Sequence, residues 1–211
     1  MAKKTILVIC AHDDDDSVAM LGSILHYIDE GYRIVKVIFS RGEKSHPHLK
    51  TSVISRRRKQ ETKKVAEEIG IKKVIHFNLE DTKINEKITE DIKEKLRLII
   101  EKYKPEKIFT LSNKDTHPDH RAVNKVVLEI IDSNHYPYPI YTFQVWNIFS
   151  ENLPILHIDI SDYFKEKIRV MKLHKSQWLS IYLQLIPTYL RAILNGIKYN
   201  RKYVEIFYKI R

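Results

Sequence analysis

The sequence predicts an α/β fold of the Rossmann-like kind, with a mostly parallel sheet of strand order about 3-2-1-4-5 and helices on both faces. Three observations predict this fold. Short β-branched apolar runs alternate with longer segments whose apolar residues recur at helical spacing. These runs are apolar at most positions, as strands buried on both faces are. The length of 211 residues fits a single domain over 1–211, with a core at 1–133 and a small strand-and-helix extension at 134–211 that packs on the core.

The predicted core elements follow one another in alternation. Four strands are predicted, at Thr5–Cys10, Arg33–Phe39, Lys73–Phe77 and Lys107–Leu111. Each is followed by a predicted helix, at Ser17–Glu30, Ser52–Ile69, Glu86–Tyr103 and Asp119–Asp132. Gly70 stands just past the second helix, where a left-handed residue commonly ends a helix, and Pro105 stops the third.

The pattern changes after Ser133. Two added strands are predicted at Tyr141–Trp146 and Ile155–Ile160, followed by a helix over Asp162–His174. The apolar segment Trp178–Leu194 contains a glutamine, a proline and an arginine. That composition favours a pair of helices covering the core over a membrane span.

Composition restricts the class of protein. The chain is 43% hydrophobic and 30% charged, far too apolar for a disordered protein. The six-residue apolar run at Thr5–Cys10 is too short for a secretory signal, and no apolar run reaches the roughly 18 residues of a membrane span. Cys10 is the only cysteine, which excludes an intrachain disulfide. We therefore expect a cytoplasmic protein, and its net charge of +10 leaves peripheral contact with a membrane surface open.

Four consecutive aspartates follow the first predicted strand, in the segment Ala11-His12-Asp13-Asp14-Asp15-Asp16. Like charges repel at this spacing and each carboxylate resists desolvation, so a bound cation would stabilise them. The alternative is a solvated turn whose Asp caps the next helix. Ligands of open α/β sheets bind at the carboxyl ends of the strands, and this position favours the cation.

A second polar motif, His117-Pro118-Asp119-His120, follows the fourth predicted strand. Pro118 fits the first turn of a helix, which would place His117 and His120 one turn apart. In the order 3-2-1-4 the first and fourth strands are neighbours, and the loops after them border the usual ligand crevice. We therefore expect the two motifs to meet, although more than a hundred positions separate them.

The residue types in the two motifs favour zinc. Two histidines and an aspartate with an open fourth position are typical of catalytic Zn²⁺, whereas Mg²⁺ prefers mostly oxygen ligands. A dinucleotide site is disfavoured, because no G-x-G-x-x-G follows the first strand. The residues thus predict metal-assisted hydrolysis.

The two motifs resemble those of the LmbE-like (PIG-L-type) zinc de-N-acetylase family, whose first motif is A-H-P-D-D-E and whose second is H-P-D-H. The likeness extends through nearly the whole chain. Arg58-x-x-Glu61 resembles the family's R-x-x-E, and His174-x-Ser176-Gln177 resembles its H-x-S-Q. Near the end, Tyr203-Val204-Glu205-x-Phe207 resembles its Y-A-E-x-F.

By this resemblance, His12, Asp15 and His120 would bind Zn²⁺, and Asp14 would be the general base. The implied reaction removes an N-acetyl group from a GlcNAc-type sugar or glycoconjugate, with a zinc-bound water attacking the amide. The implied partner is a small N-acetylated aminosugar compound, and a homo-oligomeric state is open.

Four further residues receive roles from the same resemblance. His117 would donate to the developing oxyanion as a catalytic residue. Asp119 would orient His117, or would serve instead as a carboxylate of the first helical turn. Arg58 would bind substrate, and His174 would either line the site or pack beneath it.

The chain departs from the family's first motif at two positions. Asp13 replaces its proline and adds a charge beside the metal, and Asp16 replaces its glutamate with a shorter side chain. Neither position is a predicted ligand or base, so we expect activity to survive.

Two other polar segments have functional and structural interpretations. His46-Pro47-His48 could bind a metal, and a mobile loop is the favoured interpretation. Arg56-Arg57-Arg58-Lys59 could bind phosphate, and a solvated helix face is the commoner role of such a run. An alternative function is a basic module that binds nucleic acid or an anionic membrane, with a non-catalytic metal site. Nucleic acid is disfavoured as the primary partner, because the segment 178–211 carries +5 of the net charge, away from both motifs.

Overall fold

The computed structural model describes residues 4–45, 50–146 and 150–211, and its strands form one seven-stranded sheet with helices packed around it. The strands are β1 (Thr5–Cys10), β2 (Arg33–Ser40), β3 (Lys73–Leu79), β4 (Lys107–Leu111), β5 (Ile140–Phe143), β6 (Ile155–Asp159) and β7 (Val204–Lys209).

The sheet order is β3-β2-β1-β4-β5-β7-β6, which confirms the predicted order 3-2-1-4-5 and adds two strands beyond it. β1 pairs in parallel with β2 on one side and β4 on the other, with Val8 opposite Lys36 and Phe109. β4 also pairs in parallel with β5, whereas β7 lies antiparallel between β5 and β6. The carboxyl ends of β1 and β4 therefore lie side by side, as the two motifs require.

Eight α-helices are present in the described part of the chain. They are α1 (Asp15–Ala19), α2 (Leu21–Asp29), α3 (Thr51–Ile69), α4 (Ile84–Lys87), α5 (Glu90–Tyr103), α6 (Pro118–Ser133), α7 (Phe164–Met171) and α8 (Trp178–Lys198). Gly70 ends α3 with φ +86°, the left-handed conformation predicted for it. None of the helices in the described residues is long and apolar enough to cross a membrane.

The predicted helix over Ser17–Glu30 is wrong at Met20, which separates α1 from α2 with φ −141°. The break exposes the first amides of α2 to a distant carboxylate. Glu205 of β7 accepts hydrogen bonds from the backbone N–H groups of Gly22 (3.3 Å) and Ser23 (2.7 Å). A carboxylate at a helix N-terminus is favourable. Glu205 therefore caps α2 and stabilises the break at Met20, where local periodicity alone predicts one continuous helix.

The third helix was predicted to begin at Glu86 and instead begins at Glu90. Thr89 caps α5, its hydroxyl accepting a hydrogen bond from the Ile92 N–H at 3.4 Å. Ile88, inside the predicted helix Glu86–Tyr103, has extended backbone (ψ 110°), and α4 ends before it. A Thr N-cap thus overrides the apolar spacing.

The C-terminal region departs furthest from prediction. Residues Gln144–Trp146 of the predicted strand Tyr141–Trp146 lie beyond the end of β5. The predicted pair of helices over Trp178–Leu194 is wrong, because α8 is one helix that continues to Lys198. Pro187 lies inside α8 and lacks the N–H that would donate to the carbonyl of Leu183, yet the helix continues past it.

Candidate active site

The loops after β1 and β4 meet, as predicted. His12 Nδ1 lies 3.3 Å from His120 Nε2, although 108 positions separate the two residues. His12 stands two residues past the end of β1, and His120 lies in the first turn of α6, which follows β4. The adjacency of β1 and β4 therefore brings the histidines together.

Three potential ligand atoms converge at this point. Asp15 Oδ1 lies 3.7 Å from His12 Nδ1 and 3.3 Å from His120 Nε2, and these two nitrogens are 3.3 Å apart. Tetrahedral Zn²⁺ with bonds of about 2.0–2.1 Å places neighbouring ligand atoms roughly 3.3 Å apart. The three side chains thus have the spacing and the chemistry of three corners of a zinc tetrahedron.

Polar contacts on the far side of each of these side chains hold its orientation. Asp15 Oδ2 accepts the backbone N–H groups of Ala11 (2.9 Å) and His12 (2.8 Å), leaving Oδ1 to face the histidines. Asp115 Oδ2 lies 2.9 Å from His120 Nδ1, and Asp81 Oδ1 lies 3.1 Å from His12 Nε2. Carboxylates in these positions set the tautomer of each ring so that the converging nitrogens present lone pairs to a metal.

The electrostatics of the cluster favour a cation. Burial lowers the pKa of His120, yet the charge of Asp15 and the hydrogen bond of Asp115 raise it to about 9. Burial likewise opposes ionisation of Asp15, but the two histidines hold the pKa of that carboxyl well below its usual range. The same carboxylates would stabilise a divalent cation bound at this point.

Asp14 borders the metal cluster and is held by Arg58. Asp14 is the residue before α1, and its Oδ1 accepts a hydrogen bond from Arg58 Nη2 at 2.8 Å. The same guanidinium donates from Nε to Asp13 Oδ2 at 3.3 Å. Gly42 (φ +61°) makes room for it, because a Cβ at this position would overlap the guanidinium. Arg58 thus lies at the site, where it positions the predicted base.

His117 begins α6 and presents one ring nitrogen away from the helix. Its Nδ1 accepts the Asp119 backbone N–H at 3.2 Å, so in the neutral ring the proton resides on Nε2. Burial and the neighbouring histidines, His12 and His120, lower the pKa of His117 and favour this neutral form. The ring can therefore act as a hydrogen-bond donor near the cluster.

Asp119 and His174 each contact a neighbouring element of the fold. The Asp119 carboxylate accepts the backbone N–H groups of Thr82 (2.8 Å) and Ile84 (3.1 Å) and lies 3.5 Å from His12 Nε2. His174 is 1% exposed, with Nε2 2.9 Å from the Ser17 hydroxyl. These contacts favour a first-turn position for Asp119 that holds the loop after β3, and a position beneath the site for His174.

The two departures from the family motif have buried partners. Asp13 Oδ1 accepts the Thr62 hydroxyl at 2.6 Å, so Thr62 and Arg58 compensate the added carboxylate. Asp16 Oδ1 accepts a hydrogen bond at 2.6 Å from the ammonium group of Lys36, a 1% exposed residue of β2. The charge of Asp13 is therefore directed toward α3 and neutralised there.

A cavity of about 230 Å³ opens beside the cluster. Its lining combines His12, Asp14, Asp15, Arg58, Asp81 and His117 with Trp146, Gln177, Ser180 and Gln184. The lining thus combines imidazole, carboxylate and guanidinium groups with amide, hydroxyl and aromatic groups.

Sequence reasoning missed Asp81 and Asp115. Asp81 comes two residues after β3, and Asp115 stands two residues before the second motif. Asp81 was predictable, because the carboxyl end of β3 lies at the same sheet edge as those of β1 and β4. Of the other polar segments, His46-Pro47-His48 lies outside the described residues. The basic run divides, because Arg58 faces the site whereas Arg56 and Arg57 are exposed.

Comparison with known proteins agrees with the motifs and the fold. The chain is 25% identical over 205 residues to a diacetylchitobiose deacetylase of Thermococcus kodakarensis, covering 90% of this chain and 76% of that protein. A solved diacetylchitobiose deacetylase of Pyrococcus horikoshii superimposes with a TM-score of 0.84 at 22% identity, covering 98% of this chain and 84% of that one. GalB of Pseudomonas putida, a 4-carboxy-2-hydroxymuconate hydratase, superimposes with a TM-score of 0.85 at 18% identity, covering 99% of this chain and 96% of that one.

The hydratase shows that this fold alone does not determine the reaction. The family assignment rests instead on the sequence match to the family model described as GlcNAc-PI de-N-acetylase, which spans residues 7–131, more than half of the chain. The chain belongs to the PIG-L family.

Proposed function

We propose that the protein is a zinc-dependent hydrolase that removes the N-acetyl group from a GlcNAc-type sugar or glycoconjugate. The observation that carries the proposal is the convergence of His12, Asp15 and His120 at tetrahedral spacing beside the Asp14 carboxylate. The Thermococcus relative, a deacetylase of an N-acetylated disaccharide, supports the substrate class.

In this proposal His12 Nδ1, Asp15 Oδ1 and His120 Nε2 hold Zn²⁺. When bound, Zn²⁺ would polarise the amide carbonyl and acidify a coordinated water. The residues of the chain supply the remaining chemistry, which starts with proton transfer.

Asp14 would accept a proton from the attacking water through Oδ2, because Oδ1 is held by Arg58. His117 would donate from Nε2 to the oxygen of the former carbonyl as negative charge develops there. The amide C–N bond then breaks as Asp14 returns its proton to the leaving nitrogen. One acetamide and one water give one amine and one acetic acid, which ionise to ammonium and acetate, so atoms and charge balance.

A substrate panel tests the proposed function. The zinc-loaded protein is incubated with N-acetylglucosamine, diacetylchitobiose and N-acetylglucosaminyl conjugates, and free amine is measured. We expect amine release from at least one GlcNAc compound and none from metal-stripped protein. Absence of amine release across the panel by protein that holds stoichiometric zinc would refute the proposal.

Asp14→Asn tests the role of the base. We expect this variant to retain zinc and to lose roughly 10²–10⁴-fold in amine release, the usual contribution of general-base catalysis. Asp162→Asn, at an exposed carboxylate, is the matched control. Full activity in Asp14→Asn would remove Asp14 from the mechanism.

The alternative of a nucleic-acid-binding module receives less support from the structure. Arg58 of the basic run is buried against Asp13 and Asp14, so only part of the run faces solvent. Steeply salt-dependent binding of nucleic acid at about 0.15 M salt, without turnover of any N-acetylated compound, would favour the alternative.

A further inference from the structure

Helix α8 has an unusual distribution of apolar residues. Its buried side carries the polar residues Gln184 and Thr188, whereas its outer side is apolar. Ten large apolar residues on it are between 39% and 72% exposed, namely Trp178, Leu179, Tyr182, Leu183, Ile186, Tyr189, Leu190, Ile193, Leu194 and Ile197. We call these ten residues the α8 face. Surface helices normally turn such residues toward the core.

The α8 face is an isolated feature of this surface. Among the described residues, fourteen large hydrophobic side chains are exposed, and ten of them lie on this one helix. Single exposed apolar residues are ordinary, but a continuous patch of this kind indicates a docking surface.

The segment around the face is exclusively basic. Residues 172–202 contain six Lys and Arg residues and no Asp or Glu. Lys172 and Lys175 precede α8, Lys198 is its last residue and Lys202 follows it, and all four are exposed. The surface therefore combines an apolar centre with cationic ends.

This charge pattern distinguishes between two possible occupants of the α8 face, a second copy of the chain and an anionic lipid surface. A second copy of the chain, aligned along α8 in either direction, would bring cationic ends together and would offer no carboxylate from this segment to pair with them. The α8 face is also wider than the two-in-seven seam of a coiled coil. An anionic lipid surface matches both the apolar centre and the cationic ends. The apolar residues would enter the membrane interface, and the lysines would pair with the anionic headgroups.

We propose that the α8 face docks the protein on the surface of an anionic bilayer, with α8 lying in the plane of the interface. The helix is not long and apolar enough to span the bilayer. Its polar side contributes Ser180 and Gln184 to the cavity beside the metal cluster, and the half-exposed Trp146 borders the same cavity. Docking therefore brings the cavity to the lipid surface.

Vesicle co-sedimentation of the metal-loaded full chain tests the docking. At about 0.15 M salt we expect binding to vesicles containing phosphatidylglycerol and much weaker binding to pure phosphatidylcholine. The double variant Leu183→Glu/Ile186→Glu should lower vesicle binding by at least about tenfold. Lys198→Ala and Lys202→Ala should each lower it by roughly fivefold. The matched control is Leu98→Glu on α5, a residue that is 50% exposed on another helix.

The outcomes separate docking from catalysis. We expect the Leu183→Glu/Ile186→Glu variant to release amine from a soluble substrate at the wild-type rate, which shows that it is folded. Failure of the wild type to bind anionic vesicles overturns the docking proposal, as does an equal loss in Leu98→Glu. A dimer in light scattering that Ile186→Glu dissociates, with no vesicle binding, assigns the face to a second copy instead. Vesicle binding without amine release refutes only the proposed function.

Discussion

The guanidinium of Arg58 donates a hydrogen bond to Oδ1 of Asp14 at 2.8 Å, from a helix that begins 37 residues after it in the chain. Arg58 also contacts Asp13, so one cation compensates two buried carboxylates. The aspartate that replaces the family's proline therefore shares its partner with the proposed base. Asp13, which the family motif does not contain, thus competes with Asp14 for the charge of Arg58.

Removing this cation should destabilise the fold. Arg58→Leu leaves Asp13 and Asp14 without their buried partner, and we expect a loss of roughly 3–5 kcal/mol in the free energy of unfolding. Urea denaturation measures it. Arg57→Leu, at the exposed neighbouring position, should change stability by no more than about 0.5 kcal/mol. Adding Asp13→Asn to Arg58→Leu should recover part of the loss, and equal effects of the two leucine variants would contradict this account.

The buried pair of Lys36 and Asp16 should behave as a coupled unit. Lys36→Met leaves the buried Asp16 carboxylate without its cation, and Asp16 Oδ2 has no hydrogen-bond partner among the described residues, so the change should lower the free energy of unfolding by roughly 3–5 kcal/mol. In Lys36→Met/Asp16→Asn the charge is gone from both sides, so the double variant should be more stable than Lys36→Met alone. Urea denaturation of the wild type, Lys36→Met, Asp16→Asn and the double variant measures the coupling, with exposed Lys73→Met as the control. Additive losses would show that the two side chains act independently.

Metal affinity should depend on Asp115, which the metal would not touch. Because Asp115 orients the His120 ring through Nδ1, Asp115→Asn should weaken zinc binding by about 10–100-fold. Titration calorimetry measures the dissociation constant, and exposed Asp132→Asn at the other end of α6 is the control. Unchanged affinity in Asp115→Asn would mean that the ring is oriented by other contacts.

His174 should make the protein sensitive to mild acid. Burial lowers the pKa of His174 to about 4, below the value of about 6.5 expected in the unfolded chain. As the pH falls below about 6.5, His174 becomes protonated in the unfolded chain but stays neutral in the folded protein. The free energy of unfolding therefore decreases. Between about pH 7 and about pH 4.5, His174 alone should lower the free energy of unfolding by roughly 2 kcal/mol.

Comparison with His174→Gln isolates this contribution, because other titrating groups are common to both proteins. The variant keeps a partner for the Ser17 hydroxyl, and we expect its unfolding free energy to fall by about 2 kcal/mol less than the wild type over that pH range. Equal acid sensitivity of the two proteins would show that His174 is protonated in the folded state.

The sheet order and the meeting of the two motifs were predictable because they depend on patterns local to the sequence. Buried runs such as Thr5–Cys10 and Lys107–Leu111 identify strands, and the usual doubly wound order 3-2-1-4 then places these two side by side. The features that escaped prediction depend on distant partners. β7 carries a buried Glu205, which interrupts an apolar pattern and is compensated by Lys167 at 2.6 Å and by the first amides of α2.

The α8 face escaped prediction for a related reason. Its apolar residues have helical spacing, and periodicity alone cannot say which side of a helix turns toward the core. Only the packed structure shows that Gln184 and Thr188 are buried while Leu183 and Ile186 are exposed.

The central claim is that a metal held by His12, Asp15 and His120 enables this chain to remove an N-acetyl group. Titration of Zn²⁺ into metal-free protein, with acetate release from a GlcNAc substrate identified in the panel as the readout, tests it most directly. We predict that activity rises with added metal and saturates at one ion per chain, and that His120→Ala shows neither stoichiometric binding nor activity. Activity that is independent of metal, or that persists in His120→Ala, would contradict the account.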